Sequence, residues 1–285
     1  MRDNLYIEPK VSVIMPTYNG TKFLQEAIFS ILQQDYKNME VLICDDASKD
    51  NTRELIQEIK QYHDHNNQIH IITQSHNQWI SKNMNTWLEA ATGKYVAILD
   101  QDDIRTDSNK LSKQIMFLEN NQDHQIVWTN AIFDIYWSLQ KRTYPLTDEH
   151  IRNSILGSCP MLHSSVMYNK EFVRKIGWYS ESHKYAMDYK LFLDLLKLWK
   201  WANLKEETTY YRRHGNNTSI IKAKEQRDEA KNIRKEHKSN FPNWTKTMIC
   251  HKTISLLNDI FGDNPTYVKL KNEAKKIYTR TQNSL

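Results

Sequence analysis

The sequence predicts an α/β fold built on a mixed, mainly parallel sheet that is flanked by helices. In the first half of the chain, short apolar runs alternate with amphipathic stretches, which is typical of parallel strands joined by helical crossovers. The apolar runs are unbroken, which indicates a sheet covered on both faces. Polar residues follow each run, and ligands of open α/β sheets bind outside the carboxyl ends of the strands. We therefore expect a ligand crevice at that edge.

The elements of the first half are predicted in order from their apolar spacing. Strands are expected at 11–15, 40–44, 69–73 and 95–99, and helices at 21–34, 48–62 and 81–91. Pro16 should end the first strand, since proline has no N–H to donate. Ser48 or Asp50 should cap the second helix. Only 6 glycines occur in the chain, so a glycine-rich phosphate cradle is not expected.

The second half is less regular, and fewer elements can be predicted there. Strands are expected at 125–133, 163–168 and 208–213, and a helix at 185–199. From about residue 221 the pattern is helical and basic. Residues 221–285 contain 14 Lys or Arg against 7 Asp or Glu, a net charge of +7, which leaves 25 against 27, or −2, for the rest. A basic segment of this kind can approach anionic lipid, or it can be a solvated helix surface.

Cysteine usage and hydropathy bear on where the protein works. Cys44, Cys159 and Cys250 are far apart and form no CxxC pair, so neither a disulfide framework nor a zinc site is indicated. The start of the chain does not resemble a signal peptide, and no apolar run reaches 18 residues. We expect a cytoplasmic protein, with peripheral contact at the inner face of a membrane left open.

Three aspartates form an acidic cluster at the end of the fourth predicted strand. Asp100, Asp102 and Asp103 repel one another unless a cation is present. Oxygen ligands favour Mg²⁺ or Mn²⁺, and such an ion can offset the charge of a departing diphosphate. The alternative is a solvated acidic turn that caps the next helix.

Two other strand ends should meet the acidic cluster in the same crevice. A carboxylate of Asp45 or Asp46 can accept hydrogen bonds from a nucleobase or a ribose, or cap the following helix. Tyr18 offers a planar face for a base. Tyr18, Asp45 and Asp46 are therefore candidate ligand contacts.

Three blocks of the sequence together resemble the inverting family 2 glycosyltransferases. They are Val11 to Asn19, Glu40 to Ser48 and Leu99 to Asp103, and the spacing between them also fits. The resemblance covers roughly residues 8–220 and implies a GT-A fold. It divides the chain into a catalytic domain, 1–220, and a helical basic C-terminal extension, 221–285. Within the domain, about 8–105 would bind the nucleotide and 106–220 the acceptor.

The resemblance also implies a set of donor-binding residues: Pro16, Thr17, Tyr18, Asn19, Asp45, Asp46, Asn77, Asn85, Asp100, Gln101 and Asp102. Pro16, Tyr18 and Asp46 would hold the base and ribose, with Asp46 contacting uracil. Asp102 and Asp103 would bind Mn²⁺ or Mg²⁺, and Asp100 would lie near the ribose or the donor sugar. In the loop after the third strand Asn77 and Asn85 match the family pattern. There, Trp79 replaces the usual glycine and Asn83 the usual alanine.

In the second half, the resemblance points to a catalytic base and a closing loop. Asp188 matches the aspartate that removes the acceptor proton, although Met187 replaces the customary glutamate before it. His163 matches a position that often faces the active site. Arg212 and His214 match the loop that folds over the diphosphate, and His214 is a further candidate metal ligand.

The implied reaction is a single displacement that inverts the anomeric carbon of a nucleotide-sugar. A UDP-sugar is the expected donor, and the acceptor would be a hydroxyl of a glycan or lipid-linked glycan in polysaccharide biosynthesis. A nucleotidyltransferase and a catalytically inactive sugar- or nucleotide-binding module of the same fold are the alternatives. The first normally needs a glycine-rich loop after the first strand, and the second should lack the acidic pair or the base. Nucleic acid is not an expected partner, because the crevice is acidic.

Overall fold

The computed structural model describes residues 8–135, 138–157, 159, 161–245, 248–249 and 253. In chain order, the first half contains β1 (Val11–Thr17), α1 (Leu24–Leu32), β2 (Met39–Asp45), α2 (Thr52–His63), β3 (Ile69–Thr73), α3 (Ile80–Ala90) and β4 (Tyr95–Ile98). All seven elements correspond to predicted ones, which shows how strongly the apolar spacing determines this part of the fold.

The second half begins at the acidic cluster and adds shorter, less regular elements. They are β5 (Ile104–Arg105), α4 (Lys110–Asn120), β6 (His124–Ile135), β7 (Ser138–Arg142), α5 (Asp148–Ser154), β8 (Met167–Asn169), α6 (Lys170–Lys175), α7 (Met187–Leu196), β9 (Lys200–Arg213), α8 (Thr218–Ile221) and α9 (Ala223–Glu236). Of these, β5, β7, α4, α5, α6 and α8 were not predicted.

The strands form one mixed sheet in the order β3-β2-β1-β4-β8-β6-β9-β5, with β7 paired to β6. The pairings among β1 to β4 are parallel, as is the long pairing of β6 with β9. Short antiparallel pairings attach β8 and β5. The predicted α/β class with a mixed sheet is confirmed. Because β2, β1 and β4 are parallel neighbours, their carboxyl ends lie side by side.

Two apolar layers cover the two faces of the sheet. Within β1, Ile14 belongs to the layer that contains α3 and α7, whereas Val13 and Met15 belong to the layer that contains α1 and α2. Successive strand side chains point to opposite faces, so both must be apolar where both faces are buried. This explains why the strands are unbroken apolar runs in the sequence.

Three local predictions are wrong in detail. β1 continues through Pro16 to Thr17, because its pairing with β4 ends at Ile14 and the missing N–H of proline is not needed there. His163–Ser165 is a 3₁₀ turn before β8 rather than part of a strand. The second helix begins later than predicted, at Thr52, where Asp50 Oδ1 accepts a bond from Thr52 N at 3.1 Å.

The described part of the basic C-terminal segment packs on the rest of the chain. Ile233 of α9 is fully buried in the same apolar layer as α7. Most of the predicted extension after residue 245, including Cys250, lies outside the described residues. Cys44 and Cys159 are free thiols. Among the described residues, no helix is long and apolar enough to cross a membrane.

Candidate active site

The ends of β1, β2 and β4 meet in a crevice whose loops are tied together by hydrogen bonds. Asp46 N donates to Thr17 O at 2.9 Å. Tyr18 N donates to Gln101 Oε1 at 2.9 Å, and Gln101 Nε2 donates back to Tyr18 O at 3.0 Å. The Gln101 side chain therefore fixes the loop after β1 to the acidic cluster after β4.

Backbone geometry in the first loop depends on Gly20 and Asn19. A Cβ atom at Gly20 would lie 2.4 Å from Gln101 Oε1, so this position needs glycine for the close approach. Asn19 takes a left-handed φ of 49°, which asparagine tolerates well. Its N donates to Ser48 Oγ and its Oδ1 accepts from Lys49 N, both at 2.9 Å. Asn19 thus links the first loop to the second.

Of the four donor-binding residues predicted at the end of β1 and in the loop after it, only Tyr18 and Asn19 are exposed. Pro16 and Thr17 are buried in the strand, and Thr17 Oγ1 donates to a carbonyl of its own strand. Tyr18 is 39% exposed, which leaves its ring face accessible. The first loop can therefore present one aromatic face to a ligand.

The two acids after β2 have different surroundings. Asp45 is fully buried and its Oδ2 accepts from Arg53 Nε at 2.6 Å, so its carboxylate is already paired. Asp46 accepts from Gln78 N at 2.9 Å through Oδ1 alone. Burial raises the pKa of Asp46, and the Asp45 charge adds to that shift. Asp46 is the acid with acceptor capacity left for a ligand.

A strained turn directs Asp46 toward the loop after β3. Ala47 takes a φ of 60°, a left-handed conformation that costs a non-glycine residue about 1 kcal/mol. Asn77 Nδ2 donates to the Asp46 carbonyl at 3.3 Å. Asn77 therefore contributes to holding this turn in place. Strain of this kind tends to concentrate at functional sites.

The acidic cluster has one buried and two accessible carboxylates. Asp100 Oδ2 accepts from Ser164 Oγ at 3.0 Å, and its side chain is 38% exposed. Asp102 is 20% exposed and accepts from His214 Nε2 at 2.8 Å and from Asn217 Nδ2 at 3.1 Å. Burial raises the pKa of Asp102, and the Asp100 charge raises it further.

Asp103 lies behind the accessible pair. It is fully buried, its Oδ1 accepts from Arg212 N at 3.1 Å, and its Oδ2 has no hydrogen-bond partner among the described residues. Burial raises the pKa of Asp103 well above its usual value, with Asp102 and Asp100 adding. Asp103 fixes the strand β9 against the cluster, while Asp102 faces the crevice.

The loop after β9 closes over the acidic cluster. His214 N donates to Asn217 Oδ1 at 2.6 Å, and Asn217 Nδ2 bonds Asp102. His214 Nδ1 accepts from Asn216 N, so the hydrogen-bond network assigns the ring proton to Nε2, which donates it to Asp102. To bind a metal through Nε2, His214 would have to give up this bond.

The crevice chemistry fits a divalent cation that a substrate helps to hold. Clustered carboxylates with raised pKa values favour a cation, and oxygen donors suit Mg²⁺ or Mn²⁺. In the described part of the chain, no three His, Cys, Asp or Glu side chains are grouped to enclose a metal. Mg²⁺ is often held by one or two carboxylates, with phosphate and water oxygens completing its shell. Asp102, supported by Asp103 behind it, fits that arrangement.

Arg212 is engaged away from the acidic cluster. Its Nη2 pairs with Glu26 Oε2 at 2.5 Å, and its guanidinium carbon lies 4.2 Å from the ring centroid of Phe23. Its backbone N bonds Asp103. The side chain therefore ties β9 to α1 and does not point at a diphosphate in this structure.

Asp188 enters the same region from α7. It lies in the first turn of that helix, where its Oδ1 accepts from Tyr189 N at 2.7 Å. Burial and the neighbouring Tyr168 raise the pKa of Tyr179 far above its usual value. The charges of Asp188 and Asp100 also raise the pKa of Tyr179, to a smaller extent.

His163 and Asn85 both bond Tyr179 and hold it in place. His163 Nε2 bonds the Tyr179 hydroxyl at 2.9 Å, and His163 Nδ1 lies 4.0 Å from Asp100 Oδ1. Asn85 holds the backbone of Tyr179 from both sides, through Oδ1 to N at 2.9 Å and Nδ2 to O at 3.0 Å. Asn85 was expected to bind the donor, but here its amide is used to fix this turn.

Sequence reasoning missed one residue that positions Asp188. Glu229 of α9 accepts from the backbone N of Lys184, Tyr185 and Ala186 at 3.1, 2.8 and 2.9 Å. These amides belong to the turn that leads into α7, whose N-cap residue is Ala186, and the Glu229 carboxylate satisfies all three donors next to the positive end of the helix dipole. Glu229 gave no signal in the sequence, because it is one of many charges in a solvated helix pattern.

The comparisons with known proteins agree with this architecture. The model of the Glycosyl transferase family 2 matches residues 12–177. One curated relative is the UDP-Glc:alpha-D-GlcNAc-diphosphoundecaprenol beta-1,3-glucosyltransferase WfgD of Escherichia coli. It is 33% identical over 193 residues, which cover 66% of this chain and 70% of WfgD.

Two solved structures show the same fold at low identity. S. aureus TarS 1-349 in complex with UDP has a TM-score of 0.66 at 18% identity, covering 90% of this chain and 73% of that chain. The mannosyltransferase PcManGT from Pyrobaculum calidifontis, in complex with GDP-Man and Mn²⁺, has a TM-score of 0.61 at 17% identity. It covers 97% of this chain and 85% of that one. These likenesses confirm the expected GT-A fold.

Proposed function

Because this chain belongs to glycosyl transferase family 2, we propose that it moves a sugar from a UDP-sugar to a hydroxyl of a diphospholipid-linked glycan. The product would contribute to a surface polysaccharide. One observation carries the proposal: Asp46, Asp100 and Asp102 follow the strands β2 and β4 on either side of β1, and His214 and Asn217 bond Asp102 from the loop after β9. This arrangement suits a ligand with a base at one end and a diphosphate at the other.

The donor would lie across the ends of β1, β2 and β4. The exposed ring of Tyr18 offers a stacking face for the base, and the spare oxygen of Asp46 can accept from a uracil N–H. Asp100 is accessible for a ribose or sugar hydroxyl. The complex of TarS with UDP supports the choice of uridine, while the complex of PcManGT with GDP-Man keeps guanosine as the comparison case.

A divalent ion, when bound, would offset the charge of the leaving diphosphate. Asp102 would be its principal protein ligand, because it is the accessible member of the expected Asp102 and Asp103 pair. His214 and Asn217 would then be free to turn from Asp102 toward the phosphate oxygens. The Mn²⁺ in the PcManGT structure supports this assignment.

Asp188 would act as the general base. Its place at the start of α7, near Tyr179, puts a carboxylate on the acceptor side of the crevice. It would take the proton from the acceptor hydroxyl as the oxygen attacks the anomeric carbon. Asp100 and the buried His163 would shape the opposite wall. One displacement of this kind inverts the anomeric configuration.

The acceptor follows from the relatives and from the charge distribution. The name of WfgD includes a diphosphoundecaprenol-linked sugar as its acceptor. An acceptor of that class is presented at a membrane surface, which the basic α9 and the residues after it could approach. We propose peripheral contact there, with the crevice open toward the lipid diphosphate.

The test combines turnover with product stereochemistry. Purified protein is incubated with individual UDP-sugars, Mn²⁺ and a short-chain N-acetylglucosaminyl diphosphate, and the new anomeric linkage is assigned by NMR. Asp188→Asn should lower turnover by about 10²–10⁴-fold, the usual contribution of a general base. UDP binding should persist, and the exposed control Asp228→Asn should match the wild type. Wild-type turnover by Asp188→Asn would refute the base assignment.

A further inference from the structure

We propose that Trp79 and Tyr185 form a stacking subsite for the acceptor sugar, with Lys184 and Lys222 binding its phosphate. This subsite deepens the function proposed above and depends on it. It assigns a role to Trp79, which stands where the family pattern has glycine. A glycine could not provide a ring at this position.

The two aromatic residues come from segments that are distant in the sequence. Trp79 directly follows Gln78, whose N bonds the Asp46 carboxylate, so it lies beside the candidate donor loop. Tyr185 lies three residues before Asp188, the candidate base. Their ring centroids are 6.4 Å apart at an interplanar angle of 81°, an edge-to-face contact. The pair therefore joins the candidate donor loop to the segment that carries the candidate base.

Trp79 leaves a large apolar surface unburied. Its side chain is 52% exposed, while Trp87 and Trp128 are completely buried in the core. An apolar ring at the rim of a polar crevice is typical of a binding surface. A pyranose has a face of C–H groups that packs on such a ring while its hydroxyls remain available. A sugar held here can direct one hydroxyl toward Asp188.

Two lysines place positive charge beside the rings. Lys184 Nζ lies 3.6 Å from the centroid of Trp79, and Lys222 Nζ lies 5.8 Å from the centroid of Tyr185. Among the described residues, the Lys184 ammonium makes a ring contact and no ion pair with a carboxylate. Lys222 is partly balanced by Glu225 at 3.0 Å. Phosphate oxygens can bind both ammonium groups.

The rim of the crevice therefore carries positive charge and its interior carries negative charge. Asp100, Asp102 and Asp188 make the interior acidic, which repels a second phosphate group unless a cation is present. Lys184 and Lys222 at the rim attract a phosphate group. A sugar phosphate would therefore enter with its hydroxyl inward and its phosphate at the rim. This is the orientation that attack by an acceptor hydroxyl requires.

The test measures binding of two probes in the presence of UDP. One is N-acetylglucosaminyl diphosphate with a short alkyl chain, and the other is the same alkyl N-acetylglucosaminide without the diphosphate. Saturation-transfer NMR and calorimetry give their affinities for the wild type, Trp79→Ala, Trp79→Phe and Lys184→Gln. Tyr62→Ala and Lys205→Gln remove an exposed aromatic residue and an exposed lysine elsewhere and serve as matched controls.

Trp79→Ala should weaken both probes about tenfold, which corresponds to about 1.4 kcal/mol of stacking. Trp79→Phe should restore most of that loss, because it keeps a ring. Lys184→Gln should weaken only the diphosphate probe, and the two controls should change neither. UDP affinity should be the same for all variants.

Three results would overturn the subsite. They are unchanged probe affinity in Trp79→Ala, absence of probe binding to the wild type, and loss of UDP-sugar affinity in place of probe affinity. The last would assign the ring to the donor sugar. Equal weakening of both probes by Lys184→Gln would remove the phosphate role. If UDP itself failed to bind the wild type, the proposed function would fail as well, so the two failures can be told apart.

Discussion

At the residue scale, Gly20 and Gly93 allow close approaches with different consequences. A Cβ at Gly20 would meet the mobile end of Gln101, at 2.4 Å, whereas a Cβ at Gly93 would meet the backbone N of Ser12 at 2.6 Å. A side chain can move aside, but two packed strands cannot separate at low cost. The contact at Gly20 therefore affects the geometry of the site, whereas the contact at Gly93 affects the stability of the fold.

Gly20→Ala should keep the fold and impair the donor site. The added methyl displaces Gln101 from Tyr18, so we expect a several-fold higher KM for the donor with a melting temperature near that of the wild type. Gly93→Ala should lower stability by about 1–3 kcal/mol, the usual cost of overpacking. Thermal melts and donor titrations of both variants separate these effects. Equal loss of stability in the two variants would contradict the distinction.

Glu40 links stability to pH through a buried cluster at the opposite end of the strands. Burial alone would raise the pKa of Glu40, but bonds from Lys10, Ser12 and Thr92 lower it to about 2. Because the folded pKa lies below the unfolded value, the ionised carboxylate stabilises the fold at neutral pH. That stability is lost as the pH falls from the unfolded pKa toward about 2.

Glu40→Gln should therefore lower the free energy of unfolding at pH 7 by about 2 kcal/mol, a typical cost of losing charged buried hydrogen bonds. It should also flatten the decline of stability between pH 5 and pH 2. Urea titrations across that range provide the measurement. Parallel pH profiles for the variant and the wild type would show that Glu40 does not carry this dependence.

The residue types of the site could be predicted from the sequence, but which acid is paired, buried or accessible could not. The acids at the strand ends were evident from three short blocks. That Asp45 is paired with Arg53, and that Asp103 is buried while Asp102 is accessible, depends on residues distant in the sequence. Adjacent residues in a turn point in different directions, and only the fold determines which one faces the crevice.

At the element scale, the start of α7 depends on α9. Three backbone N–H groups at that start donate to the Glu229 carboxylate, and Gln226 Nε2 donates to Tyr185 O at 2.9 Å. Asp188 lies two residues after the last of these amides. The position of the candidate base is therefore coupled to a helix from the C-terminal segment.

Glu229→Ala should lower stability by about 1–3 kcal/mol, because it leaves three backbone N–H groups without their charged acceptor, and should reduce kcat more than donor affinity. Glu229→Gln keeps one acceptor oxygen and should recover part of kcat. Asp228→Asn changes the neighbouring exposed acid and serves as the control. Unchanged kcat in Glu229→Ala, measured with UDP affinity and melting temperature, would show that α9 does not position the base.

The missed helix α4 has a clear physical cause. The stripe of α4 contains buried polar residues, because Lys110 Nζ bonds Gln114 Oε1 at 2.6 Å and Ser165 O at 3.0 Å inside the core. A helix with such a stripe cannot be recognised from the spacing of its apolar residues. The strands β1 to β4 remain largely apolar despite the buried Ser12 and Glu40, and their ends were predicted to within two residues.

At the scale of the whole molecule, the parallel half of the sheet determines where the site is. Its neighbouring strands end together, so a short motif on each strand predicts one crevice. Residues of the second half reach that crevice through long-range contacts, such as Arg212 N to Asp103, and Glu229 of the C-terminal segment bonds the turn before α7. Contacts of that separation leave no local pattern in the sequence.

The central claim is that the crevice binds a nucleoside diphosphate together with a divalent ion through Asp102. Thermal unfolding with UDP, with and without Mn²⁺, tests it most directly on the wild type, on Asp102→Asn and on the surface control Asp123→Asn. Saturating UDP with Mn²⁺ should stabilise the wild type and the control by about 2–4 kcal/mol through mass action. UDP without metal, and either condition with Asp102→Asn, should give little or no shift. If no nucleotide shifts the wild type under any metal condition, or if Asp102→Asn responds like the wild type, the account of this site is contradicted.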